Sequence, residues 1–202
     1  MKYKTIASKS ESKITIKGSK FLGYAFPVES LEQIESILYD IRKKYYDATH
    51  HCYAWQLGND KDMTFRYNDD GEPSGTAGKP IYGAIQRLDL TNVLIVSVRY
   101  YGGTKLGTGG LIRAYGQSAS DTLETAKIKI VVVGDTLQFI SSYEHHPIIM
   151  RIVNKYHLIS FDQDFAETVK VTLEVEENLT EKILNEVKDA TNGVVLGDVV
   201  KT

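Results

Sequence analysis

Between Arg99 and Gly116 the chain reads RYYGGTKLGTGGLIRAYG. Six of those eighteen residues are glycine, in a chain with 16 glycines in all, and the basic residues Arg99, Lys105 and Arg113 stand among them. The chemistry this pattern offers is anion binding. Glycines leave backbone N–H groups open to close approach. At the start of a helix those amides have no intrahelical partner, and the dipole favours negative charge. The candidate residues are Arg99, Tyr101, Gly102, Gly103, Lys105, Gly107, Gly109, Gly110 and Arg113. No standard nucleotide motif fits. Gly102 and Gly107 have Walker A spacing, but Thr108 and Gly109 follow where Lys and Ser or Thr are needed. Gly107 and Gly109 open a Rossmann pattern, but Ile112 takes the third glycine's place. A tight strand-to-helix crossover packed on another loop accounts for the same glycines without a ligand.

A second candidate is the polar stretch YNDDGEPSGTAGKP, where Asp69, Asp70 and Glu72 precede Ser74 and Thr76. Carboxylates so close together suit Mg²⁺ or Ca²⁺, although the longer EF-hand ladder is missing. The same groups can instead pair with the arginines or accept from the amides of residues 74–78. A third is THHCYAWQL. In a strand His50 and Cys52 share one side and His51 takes the other. Two groups are too few for zinc, and a Cys–His nucleophile pair has to meet across the fold. A buried thiol beside a hydrogen-bonded histidine is the favoured reading. His145–His146 reads as a helix-start feature. No metal centre and no cofactor is expected.

The elements that must position these residues follow from periodicity. The first 28 residues give two or three strands punctuated by Gly and Ser. Ile14 and Ile16 alternate with polar neighbours there. Ser30 and Gln33 have capping-box spacing at the head of SLEQIESILYDIRKKYY, whose Leu31, Ile34, Ile37, Leu38, Ile41 and Tyr45 fall on one helical face. HHCYAWQLG and MTFRYND read as strands joined by a hairpin turn at Gly58, Asn59 and Asp60. PIYGAIQRL reads as a short helix with Pro80 in its first turn. NVLIVSVRYY is a central strand covered on both faces. The helix LIRAYGQSASDTLETAK follows the glycine loop. Its inner face carries Leu111, Ala114, Tyr115, Ser118, Ala119, Thr122 and Leu123. Beyond it the order is β-α-β-β-α-β, starting from VVVGDTLQFIS as one strand, which is the ferredoxin-like pattern.

Composition adds bounds. Hydrophobic residues make up 42% and charged residues 25% of the 202, ordinary for a globular protein. No apolar run approaches a membrane span, and the basic, polar N-terminus lacks a secretory h-region. The single Cys52 forms no internal disulfide, so a cytoplasmic compartment is expected. Residues 1–128 carry 17 Lys+Arg against 14 Asp+Glu, whereas 129–202 carry 7 against 12. That asymmetry supports two domains.

Taken together, HHCYAW, DDGEPSGTAGKPI, NVLIVSVRYYGGTKLGTGGLIRAY and the ferredoxin-like tail resemble the YigZ/IMPACT family across almost the whole chain. The resemblance implies an α+β protein of two domains. An IMPACT-like domain at 1–130 is similar to domain IV of elongation factor G, a β-α-β unit on a four-stranded sheet. A ferredoxin-like domain at 131–202 is similar to domain V. It further implies translation-related regulation, as in eukaryotic IMPACT proteins, or nucleic-acid binding. No motif supports the peptidase labels some bacterial members have carried. On this reading the loop amides with Arg99, Lys105 and Arg113 grip phosphates of RNA or the ribosome, and Tyr100, Tyr101 and Tyr115 offer rings to bases. His50, Asp69, Asp70, Glu72, Ser74 and Thr76 form a supporting site. A protein partner for the acidic C-terminal domain is the further possibility. The alternative is a small-molecule or phosphoester enzyme using the carboxylates and His50 beside the loop.

Overall fold

The computed structural model describes residues 2–58 and 62–200. The architecture is α+β in two compact units, Tyr3–Ile130 and a second that takes up 131–200 together with Lys2.

In the first unit, β2 (Ser10–Ile16), β3 (Ser19–Pro27), β4 (His50–Leu57), β5 (Thr64–Asn68) and β6 (Val93–Tyr100) form an antiparallel sheet in the order β2-β3-β6-β4-β5. The resemblance implied four strands; five are present. The apolar run at β6 is central and buried from Val93 to Arg99 because helices lie on both faces. On one face pack α2 (Gly78–Arg87) and α3 (Gly107–Glu124), over Phe21, Ala25, Cys52, Ala54 and Ile95. On the other packs α1 (Leu31–Lys44), over Tyr24, Tyr53, Trp55, Leu94 and Val96. Two-residue alternation therefore sends Ser97 and Arg99 toward α3, and Val98 and Tyr100 to the opposite side. A short two-stranded sheet pairs β1 (Lys2–Ile6) with β7 (Ile128–Val132).

The local signals explain most boundaries. Ser30 caps α1 by accepting from the Gln33 amide at 3.3 Å, and Gln33 Oε1 accepts from the Glu29 amide at 2.8 Å, one residue before the usual capping-box donor. Ile34, Leu38 and Ile41 are buried as their spacing requires, but Leu31, in the first turn, is half exposed beside an open groove that Arg66 also borders. The expected turn at Asn59 and Asp60 lies outside the described residues. Helix α3 begins at Gly107, earlier than LIRAYG suggests, so the glycine loop itself is only Tyr101–Leu106. All seven expected inner-face residues of α3 are buried.

In the second unit β8 (Gly134–Ser141), β9 (Ser160–Phe165), β10 (Val169–Glu176) and β11 (Gly197–Val200) form an antiparallel sheet in the order β11-β8-β10-β9. Helices α4 (His146–Val153) and α5 (Thr180–Ala190) enclose its core of Leu137, Phe139, Ile149, Val171, Leu173 and Val187. This is the ferredoxin-like order. VVVGDTLQFIS is not one strand, however. β7 ends at Val132, and β8 starts at Gly134, where a Cβ would stand 2.4 Å from the Val175 carbonyl oxygen. Only glycine lets the two backbones meet there.

Candidate functional site

The site is assembled where the C-terminal end of β6 meets the start of α3. Register sets Phe21, Arg99 and His50 side by side on three neighbouring strands, all facing α3. Arg99 is 5% exposed. Its Nη1 donates to Glu72 Oε1 at 2.6 Å and its Nη2 donates to Ser19 Oγ at 3.2 Å. The same carboxylate oxygen accepts from the Tyr115 hydroxyl at 2.6 Å. Tyr115 stands edge-on to Phe21, and the Arg99 guanidinium lies over the rings of Phe21 and Tyr101 at 5.5 and 5.6 Å. A buried guanidinium demands such a shell, since desolvation costs it several kcal/mol (about 3–5 when the counter-ion is removed). One polar atom is left over: Arg99 Nε is buried without a hydrogen-bond partner.

The acidic loop divides its carboxylates among three tasks. Asp69 accepts from the amides of Gly75, Ala77 and Gly78 at 2.8–2.9 Å and so pins the loop and the start of α2. Asp70 accepts from the His51 amide at 2.6 Å and lies 3.6 Å from Arg42. Glu72 holds Arg99. Thr76 closes the turn on the Pro73 carbonyl, and Ser74 is exposed. Of the alternatives open in the sequence, pairing with arginine and with the loop amides are the two realised. Among the described residues no three His, Cys, Asp or Glu groups gather as metal ligands.

His50 and Cys52 do share a side, but each is tied to this loop. His50 Nδ1 lies 2.7 Å from the Asp70 carbonyl, leaving Nε2 3.8 Å from Glu72. The Cys52 thiol donates to the Asp69 carbonyl at 3.0 Å, and burial pushes its pKa up. A thiol that is fully buried and held protonated is a poor nucleophile. Native protein is expected to resist iodoacetamide at Cys52 until it is unfolded, with mass spectrometry as the readout. Rapid native labelling would contradict this burial. Burial pushes the Tyr115 phenol up as well. Tyr115 is fully buried, so it offers no ring to a base; its ring is core and its hydroxyl is a Glu72 partner.

The glycines separate into classes. A Cβ on Gly102 would fall 1.9 Å from the Gly18 carbonyl carbon, so what approaches this loop is the β2–β3 turn. Gly103 and Gly107 have φ of +83° and +71°, a region other residues seldom adopt. At Gly109 a Cβ would meet only Arg113 Nη1, at 3.6 Å, so packing does not require glycine there. No side chain caps the first turn of α3, and no acid lies in it. These amides front an open cleft of about 350 Å³ lined by Glu72, Arg99, Tyr101, Lys105, Gly107 and Thr108 among others. Lys105 and Arg113 are exposed, and among the described residues neither forms an ion pair. Arg99, by contrast, has both terminal nitrogens committed. The arrangement can hold an anion against uncapped amides beside one free lysine.

Ser19 escaped the sequence reading. Its buried hydroxyl accepts from Arg99 and from the Gly102 amide, at 3.2 and 3.1 Å. The only local signal is its place after Gly18, and that has meaning once β3 is registered against β6.

The comparisons place these residues in a family. The Impact N-terminal domain model matches residues 17–123, a span holding Ser19, the acidic loop and the whole glycine loop. An IMPACT family member from Haemophilus influenzae is 34% identical over 179 residues, covering 88% of this chain and 87% of the relative. IMPACT family member YvyE of Bacillus subtilis is 32% identical over 194 residues, covering 95% and 88%. A crystal structure of a hypothetical protein superposes with a TM-score of 0.68 at 25% identity, over 99% of this chain and 98% of the other. The chain belongs to the IMPACT family.

Proposed function

We propose that this protein is a non-enzymatic, translation-related regulator that binds RNA or the ribosome through the basic glycine loop. One observation carries the reading. The uncapped start of α3 opens on a cleft beside the exposed Lys105, and that cleft is lined by Arg99, which is nine-tenths buried and has an unpartnered Nε. Backbone amides and lysine recognise phosphate without reading sequence. Family membership supplies the link to translation. Arg99 shapes the cleft from within, while Lys105 and Arg113 meet the phosphates. No helix among the described residues is long and apolar enough to cross a membrane.

Co-sedimentation with ribosomes and with total RNA over a salt series tests this. Wild-type binding is expected to weaken with salt. The Lys105→Ala/Arg113→Ala variant is expected to bind less, with the log–log salt slope flattened by about 0.7 for each single-strand phosphate it no longer neutralises. Undiminished binding by that variant, or none by the wild type at low salt, sinks the proposal.

The second unit favours a second reading for its own surface. Alternation on its open sheet face turns Asp162, Asp164, Glu174 and Asp198 outward, against Lys170 alone among the bases of these strands. Such a face repels RNA and suits a basic protein partner. Asp162→Lys/Asp164→Lys is the variant that tests it, by loss of a captured basic partner with RNA binding retained.

A further inference from the structure

The face of the first unit's sheet that carries α1 is covered only in part. Over β6, β4 and the end of β3 the helix seals it. Toward β2 it is open, and alternation there turns Lys13 and Thr15 of β2 and Lys20 and Leu22 of β3 outward, with Lys17 exposed in the turn that follows β2. The register sets Lys20 between Thr15 and Tyr100, and Lys13 beside Leu22. These residues border an open groove of about 490 Å³ lined by Lys13, Gly18, Lys20, Leu22, Tyr100 and Tyr101. Lys13, Lys17 and Lys20 are exposed, and among the described residues none forms an ion pair. Two acids on this side are engaged: Glu11 lies 2.5 Å from Lys9, and Asp47 accepts from the Tyr100 hydroxyl at 2.8 Å. The groove thus carries Lys13 and Lys20 on its strand side and Tyr100 and Tyr101 beside them, with no acid in its lining.

Tyr101 lines this groove and also the cleft at the start of α3. Its ring is 47% exposed yet fixed. The hydroxyl donates to the Gly103 carbonyl at 2.7 Å, the amide donates to Thr49 Oγ1 at 3.0 Å, and the Arg99 guanidinium backs the ring. Beside it, Gly18 and Gly102 meet backbone to backbone. The ridge between the two hollows thus has no side chain at its crossing point and one exposed ring next to it.

We infer that the groove is the second half of one site, and that its occupant is a single polynucleotide strand passing from the cleft over Tyr101 onto the Lys13–Lys20 face. This rests on the RNA reading of the glycine loop and narrows it to single-stranded RNA. The charge fits: lysines without counter-ions flank the path at both ends, as a polyanion requires. The rings fit as well. Tyr101 and Tyr100 offer π-faces along a basic track, the combination that holds unpaired bases without sequence preference. A duplex does not fit, because it is stiff over about 150 base pairs and keeps its bases inside, whereas this path turns over a ridge at the end of a strand.

Fluorescence anisotropy on the full chain tests this with labelled oligouridylates of about 4 and about 12 nucleotides and an RNA duplex of matching length. The long single strand is expected to bind more tightly than the short one and than the duplex. Lys13→Ala/Lys20→Ala is expected to weaken the long strand about tenfold and spare the short one. Lys105→Ala/Arg113→Ala is expected to weaken both, and Tyr101→Ala to cost between about fivefold and a hundredfold. All these side chains are exposed, so the variants should fold. If the Lys13/Lys20 variant binds the long strand as the wild type does, or the duplex binds equally, the groove is no part of the site while the loop reading stands. Equal competition by polyglutamate would likewise overturn the inference, since the groove would then read negative charge alone. If wild-type protein binds none of these RNAs, the proposed function itself fails and the extension with it.

Discussion

Glu72→Met lowers the unfolding free energy of the first unit by about 3–5 kcal/mol, and Arg99→Met does nearly the same. The two side chains are 4% and 6% exposed and meet at 2.6 Å. Removing either leaves the other's charge without its counter-ion where almost none of it reaches water. Removing Glu72 also takes the acceptor from the Tyr115 hydroxyl, a further cost of about 1–3 kcal/mol. The double variant is expected to be more stable than either single one, because two apolar side chains of similar size replace two charges. Its residual deficit is the Tyr115 hydroxyl. Urea unfolding followed by tryptophan fluorescence measures this cleanly, since Trp55 is the chain's only tryptophan and lies in the core under α1. Strict additivity of the two single losses would mean that the pair is not coupled, against the general behaviour of contacting residues. The coupling bears directly on function. A variant of Arg99 that loses RNA binding says nothing about phosphate contact unless its fold is intact, and the exposed Lys105 and Arg113 are the cleaner probes.

What the sequence disclosed about this region was local. Ser30 and Gln33 announce the start of α1 because a cap is made within four residues, and the 3.6-residue period of α3 marks its buried face, Tyr115 included. The same Tyr115, taken as a ring for bases, shows the limit. An aromatic on an inner helix face is core first, and its hydroxyl finds a partner 43 residues away. The acidic loop is a similar case. Nothing local distinguishes Asp69, which caps amides, from Glu72, which reaches an arginine 27 positions on. The assignment needs the register of β6 against β3 and β4. The groove on β2 and β3 was invisible for the same reason. Lys13 and Lys20 look like ordinary solvent-facing strand residues until the sheet order shows that no helix covers them. The split of VVVGDTLQFIS into β7 and β8 depends on two different pairing partners, β1 on one side and β10 with β11 on the other.

The glycines allow fold and ligand to be separated by experiment. Gly102→Ala puts a methyl 1.9 Å from the Gly18 carbonyl carbon and 2.2 Å from the Ser19 nitrogen. Both are backbone atoms and cannot rotate away. Ser19 Oγ moreover binds the Gly102 amide, so the two segments cannot part without losing that bond. The expected loss is about 3 kcal/mol, the upper end for overpacking, read by the same Trp55 fluorescence. Gly109→Ala is the contrasting case. The site is open, and alanine is favoured over glycine in a helix by about 0.5–1 kcal/mol, so stability should rise by up to that amount. The amide stays in place, but a methyl now stands beside the uncapped turn. If glycine is kept there for the approach of a phosphate, ribosome and RNA binding fall while stability rises. Movement in opposite directions cannot come from a damaged fold. Unchanged binding would show that the ligand does not come close to Gly109, and phosphate contact would then rest on Lys105, Arg113 and the neighbouring amides of the turn.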